Sequence, residues 1–127
     1  MGWASAVTVA DYDNDGFEDI FITYFIHNVI YRNNGDGTFT DVTRPAGLYR
    51  EGTFWGSACT FIDYDRDGNL DLFVGHYAHL DIATTPPPGS DPTFCMNAGV
   101  PVFCGPHYFH PVAPFCFTTM ATARSSM

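Results

Sequence analysis

Short runs of β-branched and aromatic residues alternate with polar, glycine-containing stretches along the first eighty residues. Such runs predict strands, and within one stretch of about fifty residues we place four of them. Their predicted ranges are Ala4–Ala10, Asp19–Phe25, Asn28–Asn33 and Thr38–Val42. The segment Asn34-Gly35-Asp36-Gly37 predicts the hairpin between the last two strands, because Asn-Gly and Asp-Gly favour positive φ. Residues 44–48, with Pro45 near the start, predict a brief helical turn.

The pattern repeats. Residues Trp3 to Thr23 align with Trp55 to Gly75 at a constant offset of 52, and 11 of these 21 positions are identical. A repeated four-stranded antiparallel unit of about fifty residues is typical of a β-propeller blade. The sequence therefore predicts an all-β fold, as a fragment of a β-propeller.

The most specific motif is an acidic loop between the first two strands of each copy. Both loops read D-x-D-x-D-G-x-x-D, with carboxylates at positions 1, 3, 5 and 9 and glycine at position 6. Clustered carboxylates repel one another unless a cation lies between them, and calcium prefers six to eight oxygen ligands. We predict two Ca²⁺ sites, with the position-7 residues contributing backbone carbonyls. The predicted ligands are Asp11, Asp13, Asp15, Phe17 and Asp19 in the first loop, and Asp63, Asp65, Asp67, Asn69 and Asp71 in the second.

These loops have three alternative interpretations. A plain acidic turn would need no metal, but two loops with identical ligand spacing argue against it. An EF-hand needs a bidentate Glu at position 12 and flanking helices, whereas position 12 is Ile22 or Val74 and the flanks predict strands. Magnesium keeps several waters and seldom takes an all-protein cage. The loops are therefore interpreted as calcium loops in β-hairpins, with Glu18 and Arg66 facing solvent.

Charge and composition argue against nucleic-acid binding and against a membrane-spanning helix. The net charge is −9, and nine of the fourteen acids lie in the two loops, so two bound dications would reduce it to −5. Five Lys and Arg residues form no basic stripe, which excludes nucleic acid as a predicted partner. No apolar run approaches the ~18 residues of a membrane helix.

The chain resembles FG-GAP/VCBS repeats, the blades of integrin-α-like propellers. It is most similar to proteins related to cartilage acidic protein, which carry ASPIC/UnbV domains. The resemblance covers about residues 2–106, and no ASPIC/UnbV domain is present. It rests on Ala10–Gly16, Ile30–Thr43, Ala46–Leu48, the second loop with Leu72–Val74, and Gly99–Pro106, which resembles a segment of an insertion. It implies calcium in blade hairpins and an exported protein (extracellular, cell-surface or periplasmic) that binds protein or carbohydrate.

We expect a fragment organised in four parts, because a propeller closes only with about four to eight blades. Residues 1–48 are the first blade, 49–80 the first half of a second, 81–106 a proline-rich insertion and 107–127 an atypical tail. Cys95 and Cys104 predict a disulfide in the insertion; free thiols and a zinc site are the alternatives. Cys59 is predicted to be a buried small apolar residue.

The tail is interpreted as the next hairpin read out of frame. Permitted codons for residues 118–127 (ACA ACA ATG GCG ACG GCA CGT TCA TCG ATG), read from the third base, give Asn-Asn-Gly-Asp-Gly-Thr-Phe-Ile-Asp. That product matches residues 33–41 at every position except Thr40. The gene sequence at those codons tests the interpretation.

Catalysis is not predicted. The five histidines have no partnered nucleophile or base, and Ser5 and Ser57 are repeat-equivalent, which favours packing. Trp3 and Trp55 are likewise interpreted as packing between blades. The leading hypothesis is a non-catalytic, calcium-binding propeller module of an exported binding or adhesion protein. The alternatives are an accessory part of a larger extracellular enzyme that acts on polysaccharide, and a non-functional gene fragment.

Overall fold

Antiparallel β-strands make up the regular structure of this chain. The computed structural model describes residues 2–50, 54–79, 96–102 and 115–117, and within these ranges the fold is all-β. The strands are β1 (Ala4–Ala10), β2 (Asp19–Ile26), β3 (Val29–Asn33), β4 (Phe39–Asp41), β5 (Phe54–Ile62), β6 (Asp71–His79), β7 (Met96–Asn97), β8 (Val100–Pro101) and β9 (Phe115–Phe117).

The first repeat is a four-stranded meander. Strand β1 pairs with β2, β2 with β3, and β3 with β4, all antiparallel. The bounds agree with the predicted strands to within a residue, and Asn34 N–H donates to the carbonyl of Thr38 across the predicted hairpin. Residues 43–47 form turns, where Ala46 N–H donates to the Val42 carbonyl at 2.9 Å. The predicted blade architecture is confirmed for this repeat.

The second repeat follows the same plan with β5, β6 and β9. Cys59 pairs with Val74 as Val7 pairs with Ile22, one repeat earlier. Strand β9 pairs with β6 through Leu72 and Phe117, which corresponds to the Ile20–Tyr31 pair of β2 and β3. Three residues of the tail therefore take the position of a third strand. The out-of-frame interpretation of residues 107–127 stays a prediction.

The hydrophobic core lies between the two blades. Its buried members are Tyr12, Phe21, Ile30, Leu48, Leu72 and Val74. Cys59 and Phe61 pack against them while partly buried, and burial raises the pKa of the Cys59 thiol. Cys59 was predicted to be buried, and in the structure it is only partly buried, with its side chain packed against the core.

Trp55 joins the two blades. Its ring lies edge-on to Phe25 of the first blade, with centroids 5.7 Å apart, and 5.5 Å from the ring of Tyr77 in its own blade. Its indole N–H donates to the hydroxyl of Ser5 at 3.2 Å. The predicted packing between blades is confirmed for Trp55, whereas Trp3 is exposed and lies 6.3 Å from Phe25.

A first prediction concerns Thr43, a buried residue that fastens the end of the first blade. Its Oγ1 accepts from Ile30 N–H at 3.1 Å and donates to Asp41 Oδ1 at 2.6 Å. Thr43→Val keeps the shape but leaves the Ile30 donor without that acceptor, so we expect a loss of about 2 kcal/mol in the free energy of unfolding. Urea denaturation measures it. Thr40→Val, whose hydroxyl bonds in an exposed position, is the control, and equal stability of the two variants would contradict the prediction.

Candidate metal centre

The two acidic loops occupy equivalent corners of the two blades. The first loop connects β1 to β2, where Ala10 pairs with Asp19, and the second connects β5 to β6, where Ile62 pairs with Asp71. Each strand pair thus brings the first and last residues of its loop together. The strand pairing therefore holds the two ends of each loop together without a bound ion.

Both loops adopt the same unusual backbone. The glycines at position 6 have positive φ, 92° at Gly16 and 88° at Gly68, a conformation in which a Cβ would be penalised. Position 4 is also left-handed, with φ of 56° at Asn14 and 63° at Arg66. Asn tolerates this conformation and Arg does so at a cost of about 1–2 kcal/mol. This second left-handed residue was not predicted from the sequence: Asn14 is of a residue type that adopts the conformation readily, and Arg66 is not.

The structure gathers three carboxylates in each loop. Oxygens of Asp11, Asp13 and Asp15 all lie within 4.8 Å of one another. In the second loop the corresponding group is Asp63, Asp65 and Asp71. Oxygens at this separation can share one hard cation, so both acidic clusters could hold a metal ion.

Asp19 and Asp71, the position-9 acids, hold backbone groups. Asp19 is fully buried; its Oδ1 accepts from Asn33 N–H at 2.8 Å and its Oδ2 from Tyr12 N–H at 3.2 Å. Asp71 is also fully buried and accepts from Tyr64 N–H at 2.9 Å. Asp19 lies outside the group of three in its loop, while Asp71 belongs to the second group.

The remaining predicted ligands lie at the loop turn. Asp15 Oδ1 accepts from the N–H of Phe17 at 2.9 Å, and Asp67 Oδ1 accepts from the N–H of Asn69 at 2.8 Å. Asp67 is outside the second group of three. These turns fix the position-7 residues, whose carbonyls stay predicted ligands.

The electrostatics of the first loop favour a bound cation. Asp13 Oδ1 is buried without a hydrogen-bond partner. Burial, followed by the charges of Asp15 and Asp11, raises the pKa of Asp13; a backbone hydrogen bond from Asp15 and, less strongly, the Arg32 guanidinium oppose this rise. Burial likewise raises the pKa of Asp19. A buried anionic oxygen without a donor is unfavourable, and a hard cation within the cluster would remove that cost. The residues present therefore fit a metal ion.

The first loop is also joined to the β3–β4 hairpin. The Phe17 ring lies over Gly35, where a Cβ would come within 2.7 Å of the ring. The Asn33 side-chain amide donates to the Glu18 carbonyl at 3.2 Å. Sequence spacing gave no sign of this contact, because the two segments belong to different hairpins.

Among the described residues, Glu18, Arg66, His27 and His76 belong to neither group of three carboxylates. Glu18 and Arg66 are exposed, as predicted, and His27 is exposed beyond the end of β2. His76 lies in β6 against Phe54, with centroids 5.5 Å apart; burial, then Arg50, lowers its pKa. The proposed Cys95–Cys104 disulfide and the histidines at 107 and 110 lie outside the described residues.

Comparison with protein families agrees with this arrangement. The family model described as an FG-GAP-like repeat matches residues 11–74, a span that holds both acidic loops. Comparisons with curated proteins and with solved structures gave no significant match. Within the described ranges, no helix is long and apolar enough to cross a membrane.

Proposed function

Because this chain belongs to the FG-GAP-like repeat family, we propose that it is a calcium-binding, non-catalytic module of a β-propeller that binds a protein or carbohydrate ligand outside the cell. The ion has a structural role. Its binding neutralises a cluster of carboxylates and holds the loop against the hairpin, so the binding free energy contributes to folding. The resemblance to integrin-like propellers supports the proposed export and ligand binding.

One observation carries the metal proposal: Asp13 Oδ1 is buried without a hydrogen-bond partner, in a carboxylate that has an oxygen within 4.8 Å of oxygens from Asp11 and Asp15. The all-oxygen ligand set, with several carboxylates, favours Ca²⁺ over Mg²⁺, which demands octahedral geometry and retains its waters. The second loop repeats the spacing, so we propose a second site there.

Asp19 would both accept backbone hydrogen bonds and bind the ion. Both its oxygens accept backbone N–H groups, yet each carboxylate oxygen has a second lone pair that can face an ion. A ligand held by two backbone donors is fixed before the ion arrives. The same reasoning applies to Asp71, which is held by Tyr64 N–H.

A thermal melt in EDTA, in millimolar Ca²⁺ and in millimolar Mg²⁺ tests the metal proposal. A site filled at about 100 times its Kd adds about 2.7 kcal/mol, and for a domain of this size we expect Ca²⁺ to raise Tm by roughly 10 °C. Mg²⁺ should raise it far less. No shift with either ion would contradict metal binding, and equal shifts would contradict selectivity for calcium.

Matched variants separate the two loops. Asp13→Asn and Asp65→Asn each remove one charge from a cluster of three, and each should remove about half of the Ca²⁺-dependent shift. Glu18→Gln removes the same charge from an exposed position in the first loop. It should leave the shift unchanged. If Glu18→Gln reduced the shift as much as Asp13→Asn, calcium would be acting on the net charge and not at the cluster.

A further inference from the structure

A cavity of about 410 Å³ opens at the end of the first blade that lies away from the acidic loops. This volume is in the range of small-molecule sites, about 300–1,000 Å³. The turn between β2 and β3 and the segment from the end of β4 onward form its walls. Among the described residues, those that line the cavity are distinct from the core cluster between the blades. Its polar and aromatic lining residues are His27, Asn28, Asp41, Thr43, Arg44 and Tyr49.

An aromatic ring holds Arg44 in place at this cavity. The guanidinium carbon of Arg44 lies 3.7 Å from the centre of the Tyr49 ring, so the two groups stack. A guanidinium that stacks through its plane keeps its N–H donors at the edge, where they can form a two-point contact with a carboxylate. Because the ring already restricts the Arg44 side chain, less conformational entropy is lost when a ligand binds. Arg44 is therefore a positioned group for binding an anion.

The turn between β2 and β3 supplies further donors. The His27 ring lies near the Tyr24 ring, with centroids 6.5 Å apart and planes 25° apart. Asn28 Oδ1 accepts from Tyr24 N–H at 3.2 Å, so the amide NH₂ is the group with which Asn28 can bind a ligand. Ile26, just before this turn, has a φ of 90°, which a β-branched residue rarely adopts. Backbone strain of this kind is found most often at binding sites.

Asp41 adds an acceptor to the same cavity. Its Oδ1 accepts from Thr43 N–H at 3.0 Å and from the Thr43 hydroxyl at 2.6 Å. These two hydrogen bonds, followed by the charge of His27, lower the pKa of Asp41, so its carboxylate is ionised at neutral pH. A fixed carboxylate can accept hydrogen bonds from ligand hydroxyl groups. The cavity thus combines a cation, neutral donors and an acceptor.

We propose that this cavity binds a hexuronic acid residue of an acidic oligosaccharide. The sugar carboxylate pairs with the Arg44 guanidinium, and the sugar hydroxyls donate to Asp41 and accept from His27 and Asn28. A uronic acid carries its carboxylate and several hydroxyls on one ring, whereas phosphate or an acidic peptide offers charge without neighbouring hydroxyls. This inference rests on the proposed function, the binding of an extracellular ligand, and it narrows that ligand to an acidic saccharide.

The distribution of charge directs an anionic ligand to this end of the blade. The acidic loops hold nine of the fourteen acids and lie at the opposite ends of the strands. Arg44 lies at the cavity, and Arg50 lies at the same end, beside His27 and Asn28. Loops without a bound cation repel an anion, whereas loops filled with Ca²⁺ could attract one. Binding at the cavity is therefore to be measured both with and without calcium.

The test is an NMR titration of the isotope-labelled chain, in millimolar Ca²⁺ and again in EDTA. The probes are trisaccharides of galacturonic and of mannuronic acid, which differ in the orientation of their hydroxyls. We expect at least one of them to shift the amide signals of His27, Asn28 and Arg44 in both buffers, with those of Gly16 and Gly68 unmoved. The methyl ester of the same trisaccharide keeps the hydroxyls and lacks the charge. It should bind about tenfold or more weakly.

Variants separate the roles of the residues at the cavity. Arg44→Ala removes the guanidinium and should weaken binding about tenfold or more. Tyr49 is a positioning residue: Tyr49→Ala should weaken binding severalfold, and Tyr49→Phe, which keeps the ring, should restore it. Arg66→Asn removes the same charge as Arg44→Ala, from an exposed position in the second acidic loop, and should bind like the wild type. Circular dichroism checks that each variant is folded.

Four results would overturn the proposal. Absence of binding by both trisaccharides would exclude an acidic saccharide as the ligand. Shifts confined to Gly16 and Gly68, seen only with Ca²⁺, would mean that the saccharide binds the metal ions of the loops. Equal affinity for the methyl ester would exclude the pairing of the carboxylate with Arg44. Tighter binding of a hexapeptide of Asp and Glu than of either trisaccharide would identify a protein ligand.

The thermal melt keeps this test separate from that of the metal proposal. A chain whose Tm does not respond to Ca²⁺ but which binds the saccharide in EDTA would retain this site and contradict the metal proposal alone. A chain that responds to Ca²⁺ and binds neither trisaccharide would retain the metal sites and contradict this inference alone.

Discussion

Asp19→Ala is expected to lower the free energy of unfolding by about 3 kcal/mol or more, the largest effect of any single carboxylate in the first blade. The substitution removes the acceptors of two backbone N–H groups, those of Tyr12 and Asn33, in a fully buried position. Hydrogen bonds to a charged group contribute about 1.5–3 kcal/mol each. Because one donor belongs to the acidic loop and the other to β3, the variant also separates the loop from the strand beside it.

Urea denaturation in EDTA measures this effect without any contribution from a bound ion. Asp19→Asn retains one oxygen and should fall between the wild type and Asp19→Ala. Glu18→Ala, the exposed neighbour, serves as the control and should change stability by less than about 0.5 kcal/mol. If Asp19→Ala were as stable as Glu18→Ala in EDTA, the hydrogen bonds from Tyr12 and Asn33 to Asp19 would contribute nothing to stability. The burial of Asp19 would then have to be explained by metal binding alone.

Gly56→Ala is expected to destabilise the chain by about 2 kcal/mol through the junction between the blades. A Cβ at Gly56 would lie 2.7 Å from Thr23 Cβ and 2.7 Å from Asn28 Oδ1. Thr23 is fully buried and bonds to Ala6, and Asn28 Oδ1 accepts from Tyr24 N–H, so neither partner moves freely. Overpacking of this kind costs about 1–3 kcal/mol.

Gly75→Ala is the matched control for this variant. It lies on β6, one strand away, and a Cβ there would meet its nearest neighbour at 3.5 Å, an ordinary contact. Chemical denaturation should show Gly75→Ala close to the wild type and Gly56→Ala clearly less stable. Equal stabilities would indicate that the blades shift apart without penalty, and the close approach of β5 to β2 would then be unimportant.

The strands and the acidic loops could be predicted because the repeat supplies each pattern twice. Apolar alternation fixed the ends of β1 to β4 to within a residue, and the hairpin glycines Gly35 and Gly37 adopt the positive φ that their dipeptides favour. The same duplication identified Trp55 as a contact between blades. These features could be predicted because each depends on residues close together in the sequence, and because the same residue pattern occurs in both repeats.

Other features depend on contacts between distant segments and gave no local signal. The pairing of β1 with β2 shifts between Ala4 and Ala6, and that of β5 with β6 shifts between Gly56 and Ala58, so Ser5 and Ser57 are bulged residues. A bulge places two residues of one strand opposite one residue of the other and so interrupts the side-chain alternation, and the composition around Ser5 and Ser57 does not mark where this happens. Two further features also depend on the folded arrangement of the hairpins. They are the hydrogen bonds from Tyr12 and Asn33 to Asp19 and the pairing of β9 with β6.

The position of β9 has a consequence for the order of folding. Strand β3 reaches β2 across a sequence separation of 7 positions, from Ile22 to Val29. Strand β9 reaches β6 across 41, from Val74 to Phe115. Closing the longer segment costs about 1.6 kcal/mol more in chain entropy, and non-local pairing forms more slowly than local pairing. The first blade is therefore expected to form as the nucleus on which the second is completed, its last strand arriving after the others.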